Sequence, residues 1–434
     1  MSDADDSTRP SLPVAPPGTE APAGEARYET ANRSQIELTP TDLEGLLPPG
    51  HAARLVWRFV EGLDLSAFYA PIKAREGHAG RPPIDPKILI ALWLYATIDG
   101  VGSAREVARL CAAHDAYRWI RGGVSVNYHT LSDFRVGHHA ALDALLTQSI
   151  AVLLDRQVVT LHRLAQDGTK VRANAGVRSF RRGERLRACL TMARQQVERA
   201  QRQDDGAVAA RDRAAAQRAA EERLARVDAA LAELPAIEAV KQRNRSTRVP
   251  KASTTDPDAR VMKLSDGGYR PAYNVQFATD VDGQVIVGVD VTNVGSDQRA
   301  LIPMLDQVQR RTGRVPTEVV VDGGYVTTTS LVTAAARAIT VYAPVPKGRH
   351  APGSGPDPDP AIVAWRTRMA TDDAKALYKT RASTAERINA DTRTHRGLTH
   401  LPIRGLPKIQ TWVLWIALAH NVLRAMAIVP HLMT

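Results

Sequence analysis

The stretch PAYNVQFATDVDGQVIVGVDV, residues 271–291, decides the fold. Tyr273, Val275 and Phe277 alternate with polar residues, and Asp282-Gly283 supplies a turn. Val285, Val287, Val289 and Val291 alternate on the return, so the segment reads as a β-hairpin. Upstream, Val158–Gln166 reads as a strand that delivers Asp167-Gly168 at its end. Downstream, a helix over about 297–311 leads to a buried strand, Glu318–Val321, that ends in Asp322-Gly323-Gly324. A helix over about 328–338, a short strand Ile339–Ala343 and helical sequence over about 360–395 follow. Strand, hairpin, helix, strand, helix, strand, helix is the order of an α/β mixed sheet flanked by helices. It occupies residues 158–428, with a short tail at 429–434.

One segment interrupts this plan. Residues 184–240 are rich in Ala, Arg, Glu and Gln, and Leu224, Val227, Leu231 and Leu234 recur at helical spacing. With Asp204-Asp205-Gly206 as a break, the segment reads as an inserted helical hairpin, either solvated or dimerising through a short apolar seam. Before the α/β part, residues 46–157 are helical. Asp85–Thr97 is apolar, and Ser103 with Glu106 forms a capping box that opens a helix to about Ala113. A short piece covers Tyr117–Ile120, and Asn127 caps a fourth helix carrying His129, Ser132 and Arg135 on polar faces. This all-α N-terminal domain is either a helix-turn-helix-like DNA reader or a plain bundle. Residues 1–45 are acidic and Pro-rich and read as a disordered leader, with order beginning near Gly50.

Composition narrows the function. The 434 residues carry 57 Lys plus Arg against 46 Asp plus Glu, a net charge of +11 that favours a polyanionic partner, nucleic acid first. Two cysteines, Cys111 and Cys189, fit a reducing cytoplasm rather than a disulfide framework. The apolar runs Leu89–Ile98 and Thr411–Ala419 fall short of the roughly 20 residues of a membrane span, so no membrane partner is expected. Asp167 and Asp322 each follow an apolar strand and precede glycine. Carboxylates at neighbouring strand ends share one sheet edge, where they can converge on a hard divalent cation. The third acid of such a site is expected from the helix carrying Tyr378, Arg381, Glu386 and Arg393.

These residues carry a family resemblance. Asp167–Asn174 resembles the first-aspartate motif of bacterial insertion-sequence transposases of the DDE class. Thr255–Arg260 and Gly267–Gln276 resemble the segment before their second catalytic strand, and Val321–Tyr325 resembles the second-aspartate motif. Tyr378, Arg381, Glu386 and Arg393 resemble the Tyr-Arg-Glu-Lys signature, and the likeness continues through Arg396–Leu398, Arg404–Leu406 and Ala417–Asn421. The resemblance implies a ribonuclease-H-like core in which Asp167, Asp322 and Glu386 hold two Mg²⁺ ions, with Mn²⁺ as a substitute, for cutting and joining DNA. It also implies a bacterial, nucleoid-associated protein that binds double-stranded DNA, namely terminal inverted repeats and target, as a homo-oligomer in the synaptic complex.

Two positions depart from the signature. Four residues, Ala382–Ala385, separate Arg381 from Glu386 where three are usual, and Arg393 stands at the lysine position. On a regular helix the extra residue turns Glu386 by about 100° relative to Arg381. Either the helix carries a local bulge, or Arg381 is not the equivalent arginine. The basic residues Lys241, Arg243, Arg245, Arg248 and Lys251, together with Arg178, Arg181 and Arg182, are expected to contact DNA phosphates beside the catalytic domain. Tyr378, Arg381 and Arg393 are expected to contact DNA within it. Two other readings keep part of this chemistry: a catalytically silent DNA-binding relic of a transposase, and a hydrolysis-only nuclease.

Overall fold

A computed structural model describes residue 34 and residues 42–74, 82–202, 210–346, 352–353 and 357–428. The expected leader up to residue 41 (Ser34 apart), the break at Asp204–Gly206 and the tail from residue 429 lie outside these. Order begins earlier than expected. A short 3-10 turn, Glu44–Leu46, is tied down by Trp119 Nε1, which donates to Glu44 Oε2 at 3.0 Å.

Among the described residues seven helices come first: α1 Ala52–Glu61, α2 Ser66–Tyr69, α3 Pro86–Ile98, α4 Ala104–Ala113, α5 Asp115–Arg121, α6 Tyr128–Gly137 and α7 His139–Asp155. Two caps read from sequence, Ser103 and Asn127, form, but Glu106 pairs with Arg109 instead of reaching back to close the expected capping box. Asp85 caps α3, Ser103 caps α4, and Asn127 Oδ1 accepts from Thr130 N at 2.9 Å to start α6. Then come β1 Arg163–Arg172 and β2 Phe180–Arg181, followed by α8 Gly183–Arg202, α9 Ala210–Ala232 and α10 Leu234–Arg243. The strands β3 Ala252–Ser253, β4 Arg260–Lys263, β5 Tyr269–Asp280 and β6 Ile286–Thr292 follow. The remainder is α11 Leu301–Thr312, β7 Glu318–Val320, α12 Thr328–Ala336, β8 Thr340–Tyr342, α13 Pro360–Ala370, α14 Asp372–Arg381, α15 Arg387–His395 and α16 Leu406–Ile428.

The sheet is mixed. Its order is β4-β5-β1-β7-β8, with β6 on β5; β1 runs antiparallel to β5 and parallel to β7, and β7 is parallel to β8. This order is consistent with a ribonuclease-H-like core. One expectation changes: β1 does not stop at Gln166 but runs on to Arg172, so Asp167 is mid-strand. The reason is β5, which pairs with β1 from Leu164 to Arg172, so Asp167-Gly168 continues a ladder instead of turning.

The open edge of β6 is closed by side-chain amides. Gln307 Oε1 accepts from Val289 N at 2.7 Å while its Nε2 donates to Val289 O at 2.9 Å. Asn421 does the same for Ile286 at 2.8 Å on both bonds. Asn421 and the run Ala417–Asn421 are therefore core structure. Their helix, α16, lies in the main core with Trp412 and Trp415 fully buried, packed against α3, α6, α7 and β6. At 23 residues it is long and apolar enough to cross a membrane, yet 72% of its most apolar window is buried inside the protein.

Candidate active site

Asp167 leaves β1 on the face towards α14 and α15. The β1–β7 ladder ends at Ala165↔Val320, and Asp322 lies two residues past that end, near enough to Arg381 and Tyr378 for its charge to act on both. Asp322 itself is exposed, and its Oδ1 accepts from Gly323 N at 2.6 Å as it caps a 3-10 turn.

Between α14 and α15 the chain forms a π-helix, Ala382–Glu386. This bulge absorbs the extra residue. In a π turn, positions five apart stack as positions four apart do in an α-helix, so Arg381 and Glu386 face each other. Arg381 Nη1 donates to Glu386 Oε1 at 2.9 Å, and its Nη2 donates to Asp167 Oδ1 at 2.7 Å. Within the turn the carbonyl of Thr380 accepts the hydroxyls of Ser383 at 2.8 Å and Thr384 at 3.1 Å.

Arg381 is 12% exposed and Asp167 16%, whereas Glu386 is 55% exposed. Burial pushes the Asp167 carboxyl above the usual range, opposed by Arg381, the Gly168 N–H and Asn389. Burial also works against the charge on Arg381, but Asp167, Tyr378 and Asp322 outweigh it and hold the guanidinium protonated. Tyr378 is half-buried beside Arg381; burial raises its hydroxyl first, with Asp322 and Glu386 adding to the rise. Hard carboxylate oxygens thus surround a full positive charge. Among the described residues, however, no three His, Cys, Asp or Glu side chains stand close enough to hold a metal ion between them as placed.

The other expected residues scatter. Arg178 and Arg182 are exposed, and Arg181 is half-buried in β2. Arg243, Arg245, Arg248 and Lys251 are exposed, whereas Lys241 Nζ is committed to the carbonyls of Arg248 and Val249 at 3.1 and 3.0 Å. Arg393 is half-buried on α15. On α6, His129 is exposed and Ser132 half-buried. Arg135 departs from expectation: it is 6% exposed, donates to Gly102 O, and lies 5.1 Å from the Trp93 ring and 5.5 Å from that of Trp412. Burial pushes its guanidinium down to about 10. It is a cation of the core, so it does not lie on a polar face.

The motifs around Asp256 and Arg404 also meet. Asp256 Oδ1 accepts from Tyr273 OH at 2.7 Å and Gly405 N at 3.2 Å, and Asp258 Oδ2 accepts from Leu406 N at 2.8 Å. Together they anchor the start of α16.

Two side chains that the sequence reading gave no role stand next to the acids: Asn389, which donates to Asp167, and Asp297, behind the sheet. Asn389 follows Glu386 by three residues, a spacing that puts both on one helix face. For Asp297 no sequence signal pointed the way.

The family described as transposase DDE domain matches residues 246–422, which include Asp322 and Glu386, and the transposase domain DUF772 matches residues 41–137. The chain is an insertion-sequence transposase of the DDE class. The two matches lie in the order that the motifs predicted, one over the helical part and one over most of the α/β part. Asp167 lies between the two matches, in neither. Transposition is thus the activity class of this transposase, and DNA its substrate. The family normally uses divalent metal ions. No curated protein and no solved structure matches the chain.

Proposed function

We propose that this transposase cuts and joins DNA at the terminal inverted repeats of its own insertion sequence, with Asp167, Asp322 and Glu386 as catalytic acids and Mg²⁺ as cofactor. One observation carries the reading: across the π turn, Arg381 joins Asp167 to Glu386 at 2.7 and 2.9 Å, and Asp322 follows the end of β7, the strand that pairs with β1. The donor set fits a hard cation, because it is all carboxylate and already arranged around positive charge. When bound, divalent cations supply the charge that activates a water or a DNA 3′-hydroxyl and stabilises the leaving oxygen.

The protein's own part is to fix and to bind. Asp167 and Glu386 hold the charge on the rigid strand and helix. Tyr378 and Arg381 are on hand for the phosphate nearest the cut, and Arg393 for one further along. Exposed Arg178, Arg182, Arg243, Arg245, Arg248 and Lys251 neutralise flanking phosphates without reading sequence, with Arg181 and Lys241 at their margin. The helical region 46–157 reads the repeats, with His129 and Ser132 of α6 towards the base edges. Pairing of two ends requires a homo-oligomer on DNA.

The test is cleavage and joining of labelled DNA carrying the inverted repeats that flank the gene, in Mg²⁺ or EDTA, with Asp322→Asn alongside. Cutting and joining that need Mg²⁺ and vanish in the variant are expected. Binding without cutting in Mg²⁺ and Mn²⁺ would make the protein a silent relic, and cutting without joining a nuclease.

A further inference from the structure

Asn389 touches the acid site, and the reading above leaves it without a function. It lies on α15, three residues beyond Glu386, so the two side chains leave the helix on one face. Its Nδ2 donates to Asp167 Oδ2 at 2.9 Å. Its Oδ1 is buried with no partner, although the residue is only 8% exposed.

Asp167 is thus held on one oxygen by a neutral amide and on the other by Arg381, which also binds Glu386. The two partners differ in what they oppose. A guanidinium repels any cation that approaches Asp167, whereas an amide adds no charge. A carboxylate in place of Asn389 would repel Asp167 itself. Holding Asp167 accounts for Nδ2, but packing gives no reason for Oδ1, which is buried without a donor.

We infer that Asn389 is a positioning residue for a divalent cation at the acid site. Its Nδ2 fixes Asp167 Oδ2 while a cation takes Oδ1 over from Arg381, and its own Oδ1 accepts a hydrogen bond from a water that the cation brings. The inference rests on the reading of Asp167 as a cation ligand. Mg²⁺ loses its waters reluctantly, so an acceptor just outside the carboxylates meets a donor there. A lone buried oxygen beside the acids is then the partner of a water that arrives with the ion.

The experiment is a calorimetric titration of the full chain with Mn²⁺, without DNA, for wild type, Asn389→Leu and Asp167→Asn. Asn389→Leu is expected to weaken Mn²⁺ binding by about 10- to 100-fold, the usual cost of losing a partner that orients a ligand. Its metal-free melting temperature should stay close to that of wild type, because the donor lost to Asp167 Oδ2 is offset by removal of the unpaired Oδ1; a structural role would instead lower the melt without a selective loss of Mn²⁺. If leucine is not accommodated, Asn389→Ala is read in the same way. Wild-type Mn²⁺ affinity in the Asn389 variants, with binding lost in Asp167→Asn, would overturn the inference alone. Unchanged binding in Asp167→Asn would overturn the cation-site reading and this inference with it.

Discussion

Gly168 follows the first acid because the back of the sheet leaves no room for a side chain. A Cβ there would lie 2.2 Å from Gln276 Nε2, 2.8 Å from Asp297 Oδ1 and 3.0 Å from Asn274 Oδ1. These groups form a polar knot on the face opposite Asp167. Gln276 Nε2 and Asn274 Nδ2 each donate to Asp297 at 2.7 Å, and Gln276 Oε1 accepts from Gln166 Nε2 at 3.3 Å and from Tyr325 OH. Gln166 precedes Asp167 and Tyr325 follows Asp322 by three, so the knot ties the chain around both acids from behind. Gly168→Ala should cost about 1–3 kcal/mol of stability through overpacking and lower the cleavage rate further by displacing Asp167. Thermal unfolding beside single-turnover cleavage checks this, and full activity with an unchanged melt would refute it. Asp256 gives a pH prediction. Burial raises its carboxyl above the usual range, against Tyr273 and the Gly405 N–H. A raised folded value means that its stabilising contribution is complete below the unfolded value of about 3.9 and is lost as pH rises through the folded one. Wild type should therefore melt higher relative to Asp256→Asn at pH 5 than at pH 8. A difference independent of pH would mean that Asp256 is not the titrating group.

At the scale of the element, the π turn between α14 and α15 is an insertion that the helix tolerates without losing the face on either side. Deleting Ser383, which is exposed and bonds only to Thr380 O, should restore a regular helix with Arg381 still opposite Glu386. The variant should fold and keep Mn²⁺ binding. Deleting the exposed Ala376 from the regular α14 should instead turn what precedes it by about 100° and detach that helix from its packing. Circular-dichroism melts and Mn²⁺ titration of the two deletions distinguish them, and equal damage in both would count against the bulge as a simple insertion. The spacing of Arg381 and Glu386 revealed an extra residue in advance and offered a local bulge as one of two readings, but could not choose between them; the π turn is the bulge. The hairpin β5–β6 was legible because alternation and an Asp-Gly turn are local signals. The true end of β1 was not, because Asp-Gly reads as a turn until β5 is alongside. Arg135 misled for the same reason: its neighbours Trp93 and Trp412 come from α3 and α16, far away in sequence.

Over the whole described unit, one core joins the helical region to the sheet, with buried side chains from α1, α3 and α7 in the same cluster as those of β5, β6 and α16. The helices α8–α10 stand apart from it. Leu186, Ala230, Ile237 and Ala252 form a small cluster of their own, with Leu231 and Leu234 against it. Composition announced this separation, because residues 184–240 hold too few large apolar side chains to belong to a main core. The hairpin joins the sheet domain through the short ladder Phe180↔Ser253 and Arg181↔Ala252, so its two ends are adjacent strands about 5 Å apart. A four-residue Gly-Ser turn in place of residues 183–250 can therefore close the chain without strain. Excision should leave the main melting transition nearly unchanged, since none of the removed side chains lies in the large cluster. It also removes Arg243, Arg245 and Arg248. If these bind DNA, affinity should fall and the plot of log affinity against log salt should become shallower by about 0.9 for each phosphate no longer neutralised. Melting and salt-dependent binding of the excised protein separate the outcomes. A collapsed melt would make the hairpin part of the core, and an unchanged salt slope would move the DNA path away from it.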